Sequence, residues 1–274
     1  MFCVVVVIGV TQLHDVVYIV CERSSTILRF NATTHERLTD MDVKDLKHPR
    51  DIVACEQTSQ LYVSDSCREG VWRVSADGAD IKRWWPKSST DFRPTSLSVT
   101  STRLLLVTSF DRSELIQLDS LGKELRCVRL PNYMIPVHAV ESPTTTFIIS
   151  HWINQFMLRQ SDDVVHVRTQ LDQHHISEVN TNGQVLRQFT GSRLPPFGRT
   201  PRIAIDSHGN LFVADCDNRR ILLLDAQLKK LRRVILDKHQ LNYKQPSRLC
   251  YREPTGQLLV ALDNTVAVFD VLRR

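Results

Sequence analysis

Four-residue, mainly apolar runs, each closed by an Asx or Ser turn, recur along the chain at a nearly constant interval. They are Ile27–Phe30 into Asn31, Val71–Val74 into Ser75, Leu115–Leu118 into Asp119, Ile176–Val179 into Asn180, Ile221–Leu224 into Asp225 and Val266–Phe269 into Asp270. The turn residues lie 44, 44, 61, 45 and 45 positions apart, so one unit repeats six times and its fourth copy is enlarged. A second apolar run precedes each at fixed phase: Val17–Val20, Leu61–Val63, Leu104–Val107, Phe147–Ile149, Leu211–Val213 and Leu258–Val260. Short β-branched and aliphatic runs broken by Gly, Asn, Asp and Pro are strands, not helices.

This period suits a four-stranded propeller blade, in which the inner strand a is followed by b, c and the outer strand d. The reading is all-β: a six-bladed β-propeller forming one domain over residues 1–274. The expected blades are roughly 9–45, 46–90, 91–132, 133–194, 195–242 and 243–274. Pro49, Pro94, Pro136, Pro201 and Pro246 mark the approach to strand a in five blades, where no ladder donor is needed. The sixth copy ends without a strand d, so an N-terminal strand over 2–8 is expected to close the ring. It either supplies that outer strand or joins strand a of the first blade.

The fifth unit, Pro201 to Asp225, combines an Asp206-x-x-Gly209 turn, Val213-x-Asp215, Asn218-x-Arg220-Ile221 and a strand ending in Asp225. It resembles an NHL repeat. The second unit, from Pro49 through Asp65 to Val74, is a weaker match without the Asn-x-Arg step, and the other four keep only the strand spacing. The resemblance implies an NHL-type propeller. Such propellers serve as protein-interaction platforms, as substrate-recognition domains in ubiquitin-ligase pathways, as RNA-binding modules and, in a related branch, as a lyase. No RING, B-box or coiled coil accompanies the repeats in this sequence, and fold by itself assigns none of these roles.

Composition adds little to fold and something to function. With 42% hydrophobic and 24% charged residues the chain carries enough apolar material for a large core. The formal charge of +5 is modest, but from 191 to 250 twelve Lys/Arg face five aspartates, which concentrates positive charge in the C-terminal third. Seven cysteines without a CxxC pair suit free thiols and a reducing, cytoplasmic setting. The apolar start, Phe2 to Val10, is too short for a membrane span and lacks the basic flank of a signal peptide, so no membrane partner is expected.

Alternating strands place the d-to-a and b-to-c loops on one face, here the upper face. It would display Arg50, Arg68, Arg112, His138, Trp152, Arg202, Arg219 and Arg248. Arginine forks suit carboxylates and phosphates, so a protein or peptide, acidic in character, is the expected partner, with single-stranded RNA the alternative. The structural alternative has Arg220 paired with strand-end Asp215 to hold neighbouring blades. The enlarged fourth blade adds about 17 residues between Ser150 and His174 on the same face, including Trp152, Phe156, Met157 and Arg159.

No nucleophile elbow, zincin or nucleotide-binding motif occurs, and adjacent His174 and His175 point to opposite faces of a strand. Cys67 and Cys216 lie beside arginines, which favour a lower pKa, but with no base nearby they read as incidental loop thiols. The expectation is a binding platform with no catalytic residues, metal or cofactor.

Overall fold

The computed structural model describes residues 6–67, 70–86, 92–154, 174–189 and 195–271. Six antiparallel sheets succeed one another along the chain. Blade one holds β1 (Val7–Leu13), β2 (Val16–Cys21), β3 (Thr26–Asn31) and β4 (Met41–Asp42); blade two β5 (Pro49–Cys55), β6 (Gln60–Asp65), β7 (Gly70–Ser75) and β8 (Ile81–Trp85). Blade three holds β9 (Pro94–Val99), β10 (Leu105–Ser109), β11 (Glu114–Leu118) and β12 (Glu124–Arg129); blade four β13 (Met134–Glu141), β14 (Phe147–Ile153), β15 (His174–Val179) and β16 (Val185–Gln188). Blade five holds β17 (Arg202–Ile205), β18 (Leu211–Asp215), β19 (Arg220–Leu224) and β20 (Leu231–Leu236); blade six has β21 (Pro246–Arg252), β22 (Gln257–Leu262) and β23 (Thr265–Asp270). The molecule is a six-bladed β-propeller whose helical content, among the described residues, is one 3-10 turn at Glu56–Thr58.

The recurring apolar runs are strands b and c, and their side chains fill the spaces between blades. Leu61, Val63, Trp72 and Val74 of blade two pack with Leu13, Val20, Ile27 and Met41 of blade one in a single cluster. The interval between copies is kept by turns of one design. In blade five, Asp206 Oδ1 accepts the N–H groups of His208 (3.0 Å) and Asn210 (2.8 Å), and Gly209 sits at φ +81°, a conformation that glycine adopts without strain. Asp225 does the same for the next turn through Lys229 N at 2.8 Å.

Of the two roles expected for the apolar start, the described residues take the second: from Val7 it is the inner strand of blade one, running to Leu13, and residues 2–5 lie outside the described residues. It closes the ring in that position. Val7 N donates to Asp263 O at 2.6 Å, Ser247 Oγ donates to Val7 O at 3.0 Å, and Val7, Val10, Val17 and Ile19 pack on Leu259 and Ala261. Among the described residues blade six therefore has three strands, and β23 is its outer edge.

Candidate functional site

Five inner strands carry the same irregularity. Opposite strand b the register jumps between Val7 and Gly9, Pro49 and Asp51, Pro94 and Ser96, Pro136 and His138, and Pro246 and Arg248. A bulge re-aims the residue that follows it. Gly9, Asp51, Ser96, His138, Arg202 and Arg248 consequently share one register, one per blade, around the propeller axis beneath the upper face. Gly9 belongs there for steric reasons, since a Cβ would lie 2.7 Å from the Val20 side chain.

Across this ring Arg248 makes three bonds: Nε to Asp51 Oδ1 at 2.7 Å, Nη1 to His138 Nε2 at 2.8 Å and Nη2 to Leu97 O at 3.1 Å. Asp51 Oδ2 accepts Leu97 N at 2.9 Å. Burial, reinforced by the Arg248 and Arg202 guanidiniums, keeps the His138 pKa well below the usual histidine range, so the ring is neutral and accepts from Arg248. Arg202 donates from Nη1 to Val137 O at 3.1 Å. Its pKa falls to about 10, chiefly through burial, with Asp51 opposing the shift and Arg248 and Arg50 adding to it. The ring thus holds two guanidiniums against one carboxylate.

This geometry corrects the expected upper rim. Arg248 is only 4% exposed and His138 is buried, because the bulge turns both inward. The bulged residue Arg50 is exposed instead, with Nε on Ser66 Oγ at 3.1 Å. Arg112 and Arg219 are exposed, the former 3.6 Å from Glu114 Oε1, and Trp152 at the end of β14 is 38% exposed. Arg202 is half-buried. Arg68 lies outside the described residues, as does the stretch with Phe156, Met157 and Arg159. The d-to-a loops also bring Arg93 and Arg199 to this face, and the Arg199 side chain is 86% exposed, with Nε 3.5 Å from Asp217 Oδ2. Neither belongs to a repeat motif that would single it out.

The residues of the fifth repeat form a clamp. Asp215 is buried and accepts from Arg220 Nε at 2.6 Å, Asn218 Nδ2 at 2.9 Å and Gly198 N at 2.8 Å, while Arg220 Nη2 reaches Pro195 O at 2.8 Å. These bonds tie the d-to-a loop to the b-to-c loop of the same blade; in the sequence-based view Arg220 held neighbouring blades. Asp65 acts alike in blade two, accepting from Lys47 N at 2.8 Å and Cys67 N at 3.0 Å. In blade four the same register holds His151, buried, bonded to Ser177 at 2.9 Å and stacked on His175 with ring centroids 5.7 Å apart. Burial, with His175 and His174 adding to it, lowers its pKa to about 3.

Among the described residues no three His, Cys, Asp or Glu side chains converge to hold a metal. The six described cysteines are free. At Cys216 the effect of nearby arginines is outweighed: burial, then the carboxylates of Asp217, Asp263 and Asp215, raise its pKa to about 11. No described helix is long and apolar enough to cross a membrane.

No protein-family model and no curated protein matches the sequence. Solved structures do. Catalytically inactive virginiamycin B lyase from Staphylococcus aureus with quinupristin is similar over 97% of this chain and 94% of its own, at 12% identity and TM-score 0.65. A streptogramin B lyase covers 98% and 84%, with 12% identity and TM-score 0.63. A chain of a nidogen/laminin complex covers 86% and 82%, with 16% identity and TM-score 0.62. At these identities the likeness shows the six-bladed fold and does not single out the NHL family. It also overturns the expectation that the chain is not an enzyme: enzymes share this architecture at 12% identity, which leaves activity in this chain undecided.

Proposed function

We propose that the chain is an NHL-type propeller that binds a partner protein through its upper face, taking an acidic segment at the axial mouth. The observation that carries this reading is the uncompensated positive charge of the ring. Arg202 is half-buried beside Arg248 and Arg50, with one carboxylate, Asp51, already bonded to Arg248. A carboxylate presented to Arg202 and Arg50 would offset the burial, and the lesser repulsion from Arg248 and Arg50, that lower the Arg202 pKa, in a setting where charge-assisted bonds are strong. A solved propeller of the same fold occurs in a complex of two proteins, nidogen and laminin, which supports the class of role. The free thiols of the six described cysteines support a reducing, cytoplasmic setting as part of this reading.

Selection of displayed peptides on the purified protein tests the reading. Enriched peptides are expected to carry Asp or Glu and to lose binding to an Arg50→Glu/Arg202→Gln variant of unchanged melting temperature. Equal binding by that variant would remove the axial mouth as the site. Single-stranded RNA is the second reading, favoured by the exposed Trp152 on a face that also carries Arg112 and Arg219. RNA affinity would fall linearly on a log–log plot against salt and drop on Trp152→Ala.

A further inference from the structure

The net charge of the chain is confined to one stretch. Of its 35 Lys/Arg and 30 Asp/Glu, six basic residues and one acidic residue lie between 229 and 244, so this stretch holds the whole formal charge of +5 and the remaining 29 and 29 cancel. The six are Lys229 and Lys230 in the turn before β20, Arg232 and Arg233 on β20, and Lys238 and Lys244 in the loop after it. All but the half-buried Lys244 are exposed. Among the described residues none of the six pairs with a carboxylate: Arg232 Nη1 donates to Asn210 Oδ1 at 2.7 Å and Lys244 Nζ to Thr265 Oγ1 at 3.0 Å, both neutral partners. Asp237, the one acid, turns Oδ1 into its own loop, where it accepts the N–H groups of His239 at 2.9 Å and Gln240 at 3.0 Å.

Edge protection does not account for this charge. A cation on an outer strand does discourage unwanted strand pairing. In β20, however, the register against β19 breaks twice within six residues, which already spoils the edge for a further strand. The outer strands of blades two to four carry cations as well, but beside acids: Lys82 is 3.1 Å from Asp80, Arg129 stands opposite Glu114, and Arg187 is paired with Glu178. The double break also disfavours a peptide added to β20 as a strand. A ligand here is held by side chains.

The loop after β20 adds an aromatic ring to the cations. Buried Leu241 packs in one cluster with Leu236 and pins the loop to the blade, and Tyr243 N donates to Lys238 O at 2.7 Å, which sets the tyrosine beside the end of β20. Asn242 and Tyr243 take left-handed backbone, φ 51° and 60°, a conformation that strains a bulky residue such as tyrosine. Tyr243 is nevertheless 53% exposed. Its ring is braced by His239, whose ring lies 5.3 Å away and nearly perpendicular, with Nδ1 3.0 Å from the tyrosine hydroxyl. A strained backbone thus holds an aromatic face in solvent, among unpaired cations.

We propose that β20 and the turns at its two ends bind a single-stranded nucleic acid along the flank of blade five. The strand alone spans about 20 Å, and the cations are strung along that line while the rest of the chain is neutral, which suits a chain of phosphodiesters better than a flat anionic surface. The lysines and arginines neutralise phosphates without reading sequence. Tyr243 stacks an unpaired base, a contact that an acidic peptide does not offer. The strip is separate from the axial mouth, and neither site depends on the other.

The probe is a fluorescent RNA of about twelve nucleotides and mixed sequence, followed by anisotropy with the full chain. Log affinity against log salt should fall with a slope of about −3, the value for four phosphates. Arg233→Gln/Lys238→Gln should weaken binding at least ~tenfold and make the slope shallower by about 1.4. Tyr243→Asn, which keeps a residue suited to left-handed backbone, should weaken binding ~fivefold or more at an unchanged slope. Both variants alter exposed side chains, and an unchanged melting temperature shows that the fold is intact. Trp152→Ala should leave the affinity as it is. No binding by the wild type, or equal binding by the two strip variants, overturns the inference. So does displacement of the RNA by an oligoglutamate of equal charge at equal concentration, which makes an acidic protein the occupant. Loss of binding on Trp152→Ala alone also overturns it, by moving the RNA to the upper face of blade four. None of these outcomes bears on the axial mouth, which the displayed peptides test.

Discussion

Blades five and six have equivalent strands a, b and c, and they differ in everything added to those three strands. Blade five has the Asp206 turn, the Asp215–Arg220 clamp between its upper loops, and the outer strand β20 sealing Ile221. Blade six has Leu262 at the clamp register and, among the described residues, β23 at its edge. Both still deliver an arginine to the axial ring. Strands a, b and c therefore build the ring and its axis, while the clamp and the outer strand govern how firmly blade five is sealed.

The contrast can be broken or sharpened by experiment. Asp215→Ala should be the most damaging change, because it leaves the nearly buried Arg220 guanidinium without its carboxylate; about 3–5 kcal/mol should be lost in denaturant unfolding. A loss below about 1 kcal/mol would mean that the clamp does not hold blade five. Next comes a matched pair. Ile221→Ala should remove about 2–5 kcal/mol and Val266→Ala at the same register less than about 1 kcal/mol, and equal losses would erase the distinction between the fully buried Ile221 and the half-buried Val266.

The third prediction uses blade four, whose clamp register holds His151. Its folded pKa of about 3 lies below the unfolded value of about 6.5, so protonation favours unfolding. The stabilisation is complete above about pH 6.5 and is lost as pH falls toward 3. At pH 5 this amounts to about 2 kcal/mol, and His138 adds in the same direction. Melting temperature should therefore drop between pH 7 and 5, and His151→Asn should flatten part of that slope. A profile unchanged by the substitution would show that the buried imidazole has another way to relax.

The six-fold repeat was legible in the sequence because its marks are local: Asx turns at fixed phase, prolines before strand a, and aliphatic runs of strand length. The Asp215–Arg220 partnership was legible for the same reason, since its two residues face each other across the β18–β19 hairpin. The loop they secure was not, because Pro195 and Gly198 lie at a distance in sequence and contribute only backbone atoms. Four of the five bulges follow a proline, but Pro201 is followed by none and the bulge after Val7 has no proline, so the prolines read as strand entries, and Arg248 and His138 read as rim residues and proved axial. The start of the chain was ambiguous because a valine-rich run fits an inner or an outer strand. Gly9 decides it, as the residue that the crowded axial register admits without a Cβ clash.

Joining β1 to blade six has a kinetic side. The bond from Ser247 to Val7 links residues 240 positions apart, whereas strands within a blade pair across a few residues. Chain entropy opposes so distant a contact until the intervening blades are in place, and synthesis from the N-terminus delivers the partner last. On this argument Val10, Val17 and Ile19 of blade one are covered only when blade six arrives, and ring closure is expected to be a late step of folding.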